Sequence, residues 1–308
     1  MKDLKPIVPV LTRETAHLDY NNIANPSNWR ELCMDNRTNR EIFFDVELVD
    51  LADITEGRFG DNGEQCVVDS RNQHIIKVHG NQYTLLKNSV AYDMVDEAID
   101  SLAARGELNI DGMHIKDSVT QKGGKTIREY VFPEHHVNVD GTEVLMRVVV
   151  INSYDGSANF SLQVGGFRVV CLNGMVSGNK FLNLSQRHTG LISLDSISLR
   201  LVNSVMSFHE LGLYWEKLLH TPISQSQSDS VLTEISGNSI NKFNMLSDLF
   251  DSHCKLMGRN WWAMYNALTA WSTHYEISPQ SLPNKANVVL GRETEVAKII
   301  RNPKIWKL

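Results

Sequence analysis

The chain lacks most of the motifs that betray a chemistry at first reading. Its four cysteines, Cys33, Cys66, Cys171 and Cys254, are scattered over 308 residues with no C-x-x-C pair. Reduced thiols are expected, rather than a disulfide framework or a cysteine zinc site. Cys171 lies inside an apolar run and reads as a small buried hydrophobe. No apolar run approaches the ~18 residues that span a bilayer, and MKDLKPIVPV has no signal-peptide pattern. The expectation is a cytosolic protein with no membrane partner. G-x-S-x-G, H-x-E with P-C-x-x-C, and G-x-x-x-x-G-K-[ST] are all missing. Gly123-Gly-Lys-Thr126 repeats only the end of the last, so an exposed hairpin turn is expected there instead of a phosphate loop. Neither a cofactor nor a metal is expected, and nothing points to an enzyme.

Weaker chemical signals have bland explanations. Asp45, Glu47, Asp50 and Asp53 suit a two-metal site in type, yet alternation along a surface strand accounts for them. His135 and His136 are adjacent, so on a strand they face opposite ways and at most one reaches a given ion. A solvated loop is expected for them.

Charge is what the chain does have, unevenly. The net charge is −6. Residues 1–110 hold 11 basic and 19 acidic side chains, a balance of −8, whereas 116–190 hold 8 and 6, and 255–308 hold 8 and 3. An acidic first third therefore precedes a basic middle and a basic tail. This excludes a protein that coats nucleic acid with its whole surface and leaves room for a local basic groove.

The richest stretch is Val144 to Gly190. Two β-branched apolar runs, Val144–Ile151 and Ala158–Cys171, flank Asn152-Ser-Tyr-Asp-Gly-Ser157, and Asp155-Gly156 is a strong turn signal. Phe160, Leu162 and Val164 alternate with Ser161 and Gln163, the period of a strand. Gly165-Gly166 then suggests a bulge. A central hairpin is expected, with polar residues at its ends.

The NS-x-DGS turn, the Arg168-Val-Val-Cys-x-Asn-Gly174 run, the Arg187-His188-Thr189 tripeptide and Trp261-Trp-Ala-Met-Tyr-Asn-Ala-Leu-Thr-Ala-Trp-Ser-Thr-His274 resemble the phage- and plasmid-like family designated domain of unknown function 932. The resemblance runs from about Tyr83 to the end. It implies an origin in a phage or mobile element and brings no assigned chemistry.

Along the chain, residues 1–40 read as an extended arm rich in Asn and Pro, suited to docking on a neighbouring subunit or on its own core. Strands are expected over Glu41–Asp53 and Gln65–Lys77, a helix over Asn88–Arg105 stopped by Gly106, and a strand pair over Ile110–Phe132. Helical spacing returns in Ser193–Leu219, Asn238–Cys254 and Trp261–His274, whose aromatics read as core. Ser224–Ser230 reads as an exposed polar linker, and Arg292–Leu308 as a basic amphipathic helix. The fold class is α+β: residues 41–192 form an antiparallel sheet with helix 88–105 packed on it, and residues 193–308 are mostly helical.

Candidate nucleic-acid contacts are Lys122, Lys125, Arg128, Arg147, Arg168, Lys180, Arg187 and His188. The loop around Gly123-Gly124 gathers cations, and Arg187-His188 follow a Gly-rich connection that presents donors to phosphates. Arg168 inside an apolar strand is either a structural ion pair or an anion contact. A sheet with a basic face beside helices is the kind of surface along which single strands are laid. Phage single-strand annealing proteins share a sheet-and-helix core, an analogy at the level of fold alone. The expectation is a phage DNA-metabolism protein that binds single-stranded DNA, extending to annealing by a homo-oligomer, alongside other phage or host replication proteins. The alternative is a non-enzymatic interaction protein that docks a host or phage protein on its acidic first third.

Overall fold

The structure is a computed structural model and describes residues 40–58, 62–168, 173–176, 183–186 and 194–308. The N-terminal arm, Cys171, Lys180, Arg187 and His188 lie outside the described residues. The fold is α+β, as the sequence implies, but residues from Val46 onward build two antiparallel sheets instead of one.

The smaller sheet has the order β1 (Val46–Asp50), β2 (Gln65–Asp69), β3 (His74–His79). A four-residue helix, α1 (Leu51–Ile54), follows β1. The expected single strand over Gln65–Lys77 is broken because Asp69 captures the next residues: its carboxylate accepts from the Arg71 amide at 3.0 Å and from the Arg71 guanidinium. That local cap turns the chain back on itself.

The larger sheet runs β4 (His114–Val119), β5 (Lys125–Val139), β6 (Thr142–Ser153), β7 (Phe160–Arg168), β8 (Asn173–Val176), with β9 (Asn183–Gln186) pairing further along β7. Asp140 and Gly141, at φ +55° and +67°, form the two-residue turn between β5 and β6, the geometry that matches strand twist. The expected β6–β7 hairpin is present. Gly165-Gly166 is not a bulge, however: β6 and β7 pair without a break from Val144↔Arg168 to Ile151↔Ser161. The irregularity falls instead at Pro133, between Phe132 and His136, where a residue without an N–H interrupts the ladder. His135 and His136 therefore lie on β5 and not in a loop.

Strand alternation gives this sheet two unlike faces. One carries Tyr130, Phe132, Val144, Val148 and Val150 into the main core. There α2 (Asn88–Ala104) packs with Ala91, Tyr92, Val95 and Ile99, and α3 (Leu194–His220) with Phe208, Leu211 and Trp215. The chain then forms α4 (Gln225–Ser236), α5 (Ile240–Met257), α6 (Trp261–His274) and α7 (Lys285–Arg301). Residues 225–236 are a helix despite their polar composition. Ser224 and Gln227 form a reciprocal capping box, and Val231, Leu232 and Ile235 turn inward. Trp261 and Trp262 are fully buried, stacked among Trp215, Tyr265 and Trp306. The opposite sheet face carries Val131, Leu145 and Phe167 as well as a small apolar cluster of Ile127, Val149 and Ile151, on which α7 rests through Ala286 and Leu290.

Candidate functional site

Three of the candidate arginines are buried and turned to internal partners. Arg128 donates to both oxygens of Asp117, at 2.7 and 2.9 Å, and to Asp96 at 2.8 Å. Its guanidinium lies 4.7 Å from the Phe43 ring centroid. Asp96 also accepts from the Tyr130 hydroxyl at 2.6 Å, which ties α2 to β4 and β5. Arg147 stands between two glutamates, 2.6 Å from Glu129 and 2.8 Å from Glu293. Arg168 donates to Asn266 at 2.8 Å and Thr142 at 3.0 Å, with Asp140 at 3.5 Å and the Trp262 ring beneath it. Buried guanidinium groups engaged in this way are structural in geometry: their donors are spent on fixed acceptors before any phosphate arrives.

Of the other candidates among the described residues, Lys122 is exposed and Lys125 half-buried, and both lie at one end of a groove between α7 and that opposite sheet face. Its first recess, about 300 Å³, lies at the β4–β5 loop and is lined by Lys122, Lys125, Asp155, Asn284 and Asn287. A second, also about 300 Å³, shares Lys125, Ser157 and Asn287 with it and continues over Ser161 and Gln163 of β7. A third, about 160 Å³, shares Gln163 and Thr294 and reaches Arg147, Glu293 and Arg301. The recesses therefore form one path along the sheet, with lysines at one end and Arg301 at the other.

Local structure explains the lysine end. The expected turn at Gly123-Gly124 is present, with Gly123 at φ +69°. Gly124 is needed for close approach: a Cβ there would lie 2.4 Å from an Asp155 oxygen. Its carbonyl accepts from the Tyr154 and Asp155 amides at 2.7 and 3.1 Å, clamping the loop to the β6–β7 connection. Asp155 in turn accepts from the Ser157 amide and the Ser153 hydroxyl. From the other side, Asn284 accepts from the Gln121 amide and Asn287 from the Lys125 ammonium at 2.8 Å. Burial lowers the Lys125 pKa, with Asp155 opposing. A lysine so placed holds its charge less firmly than one in open water, and gains from an added anion. Lys122 is exposed.

At the other end the two glutamates beside Arg147 part company. Burial pushes Glu129 up, but Arg147 and then Lys116 more than offset it, so its carboxyl sits below the ordinary range. Burial pushes Glu293 up further than Arg147 brings it down, and Glu129 adds to the rise. Gly174 makes room for this group, since a Cβ there would meet Glu293 at 2.5 Å and Arg147 at 2.6 Å. Among the described residues no group of three or more His, Cys, Asp or Glu side chains is arranged to hold a metal.

Sequence reasoning missed Asn284, Asn287, Gln163 and the Glu129–Arg147–Glu293 group. Asn284 and Asn287 sit near a predicted helix with no pattern of their own. Glu293 becomes notable only when α7 is laid on β6. The polar row Ser161, Gln163 is visible as alternation, but the face it joins is not. β9 adds positions to that row, with Asn183 opposite Gln163 and Ser185 opposite Ser161. Arg187 and His188 follow β9 directly in the sequence.

The family model described as Domain of unknown function (DUF932) matches residues 75–306. This span takes in the whole larger sheet and, among the described residues, the six long helices. No solved structure matches the chain.

Proposed function

We propose that this chain, which belongs to the DUF932 family, binds single-stranded nucleic acid along the groove between α7 and β7. The carrying observation is the continuous path, lined by polar and apolar side chains alike, with Lys122 and Lys125 at one end and Arg301 at the other. Cations at the ends suit a phosphate backbone. Asn287, Asn284 and Gln163 between them offer both donors and acceptors, which suit base edges left unpaired in a single strand. Among the described residues, those lining the three recesses include no aromatic side chain, so stacking contributes little and binding is carried by phosphate and amide contacts. Arg128, Arg147 and Arg168 hold the scaffold. Lys180, Arg187 and His188 join the reading only as neighbours in sequence of β8 and β9. Annealing of single strands in phage DNA metabolism, in the host cytosol and as an oligomer, is the activity this reading extends to.

The test is a gel-shift series with single- and double-stranded oligonucleotides from low to moderate salt. Preference for the single strand, with affinity falling steeply as salt rises, is expected. Absence of binding at low salt removes this reading.

One observation favours a second reading, a protein partner at the acidic first third. Among the described residues β3 has a strand on one side alone, and Ile75 and Val78 on it are 39% and 38% exposed. An open edge with apolar side chains accepts an added strand. A peptide-binding screen on the full chain, compared with an Ile75→Lys variant, separates this reading from the first.

Among the described residues no helix is long and apolar enough to cross a membrane.

A further inference from the structure

The outer side of α3 carries an apolar stripe that the described residues leave uncovered. Leu199, Met206 and Leu213 are 60%, 72% and 61% exposed. They are spaced seven apart, so each step returns to within about 20° of the same side of the helix, and together they cover about 21 Å of its length. Leu201, Phe208, Leu211 and Trp215 occupy the inward side and are buried. The sheet-facing requirement is thus met without the stripe. Large apolar side chains repeating at seven on the outside of a helix are the mark of a helix–helix seam.

We propose that this stripe pairs with the same stripe of a second copy, α3 running antiparallel to its partner about a two-fold axis at Met206. The occupant follows from the symmetry of the pattern. Reversing the helix about Met206 exchanges Leu199 with Leu213 and returns Met206 to itself, so the surface is its own complement, as an isologous two-fold contact requires. The flanking groups agree. Asn203 lies on the same flank of the seam as Glu210 of the second copy and one residue from it along the axis, an amide that can donate to a carboxylate. Both side chains are exposed, and the two Glu210 carboxylates stand about 12 Å apart along the axis, so like charges do not meet at the seam. Lys217 stands eleven residues from the axis, too far from its own copy to repel it. A parallel pairing would instead set Glu210 level with Glu210. Because α3 lies on the sheet face opposite α7, the pairing leaves both grooves open on the outer sides of the dimer. The inference does not rest on what the grooves bind.

The test uses the full chain. Sedimentation velocity over a rising concentration series is expected to show conversion from one to two copies, since a seam of this length is at the small end of interface sizes. Met206→Glu places two carboxylates at the axis and is expected to weaken association by at least about tenfold, with an unchanged circular-dichroism spectrum because the side chain is exposed. Cysteine cross-linking reads the geometry. Met206→Cys is expected to form a disulfide-linked dimer under mild oxidation well above the background of the wild-type cysteines, and Leu199→Cys alone is not. A monomer at every concentration overturns the proposal and leaves the stripe to a different protein. Association unchanged in Met206→Glu, or cross-linking of Leu199→Cys as efficient as that of Met206→Cys, overturns it too.

Discussion

Arg147 and Glu293 are 146 residues apart in the chain, yet the guanidinium stands 2.8 Å from the carboxylate in a buried pair that joins β6 to α7. Glu129 holds the same guanidinium from β5. One wall of the proposed groove is therefore fastened to its floor by a single cation shared between two acids. Removing that cation strands two carboxylates together under the helix. Arg147→Met is expected to cost about 3–5 kcal/mol and to loosen α7, measured by urea denaturation and by hydrogen exchange over residues 285–301.

The two acids predict opposite responses to pH. Glu129 is held below its ordinary value, so its contribution to stability is present above about pH 4.5 and is lost as pH falls through its lowered value. Glu293 is raised, so its contribution is present when it is protonated and is lost as pH rises through its raised value. At pH 7 Glu129→Gln is therefore expected to be more destabilising than Glu293→Gln. The gap should narrow as pH falls below 4.5. Urea midpoints of both variants at neutral and at acid pH check this, and equal losses at neutral pH would contradict it.

Lys122 is predicted to act on binding and not on folding, and Lys125 on both, since it also donates to Asn287 of α7. Replacing both with Glu is expected to weaken single-strand affinity by about tenfold or more. The slope of log affinity against log salt should fall by about 1 for each phosphate no longer engaged. Lys122→Glu alone should leave stability within about 0.5 kcal/mol, as for most exposed substitutions. Unchanged affinity in the double variant would remove the loop from the site.

His253 on α5 is buried with neither ring nitrogen hydrogen-bonded. Burial, and then the charge of Arg168, lowers its pKa to about 3. The folded state therefore keeps this ring neutral while the unfolded chain protonates it. Its stability contribution is complete above pH 6.5, the ordinary value, and declines as pH falls from there towards the lowered value. At about pH 5 the loss is about 2 kcal/mol, from about 1.36 kcal/mol per pH unit over the interval below the ordinary value. His253→Leu is expected to flatten the decline, which melting curves on either side of the ordinary value will show.

Gly166 is predicted to be intolerant for a reason unconnected with strand propensity. A Cβ there would stand 2.6 Å from Val144 and 2.7 Å from the Trp215 ring of α3. Gly166→Ala is expected to destabilise by about 1–3 kcal/mol, the usual range for overpacking, and to alter Trp215 fluorescence. Neighbouring Gly165 lies on the other face of the strand and is the natural control.

Much of the local structure is legible in the residues themselves. Trp261–His274 is helical over the span its sequence implies, capped by Asn260, whose side chain accepts from the Ala263 amide. The β6 and β7 runs, the turn at Gly123-Gly124 and the stop at Gly106 follow from alternation and from φ preferences that act within a few residues. Asp140-Gly141 is as plain a hairpin signal as Asp155-Gly156, and the Ser224/Gln227 box is equally local. The box prevails over the polar composition around it because a cap acts on the first turn, where a helix is decided.

What the chain could not declare by itself is which of its cations face water. Arg128, Arg147 and Arg168 look alike in sequence to Lys122 and Lys125, each a charge near an apolar run. Their fate depends on Asp96, Glu293 and Asn266, which lie 32, 146 and 98 residues away and arrive only when α2, α7 and α6 dock on the sheet. Local propensity sets the elements because it acts over a turn or a strand. Burial of a charge is decided by desolvation against partners that tertiary packing alone brings within about 3 Å. For the same reason the apolar stripe on α3 is hidden among helical hydrophobics until packing shows which side of the helix the core has left uncovered.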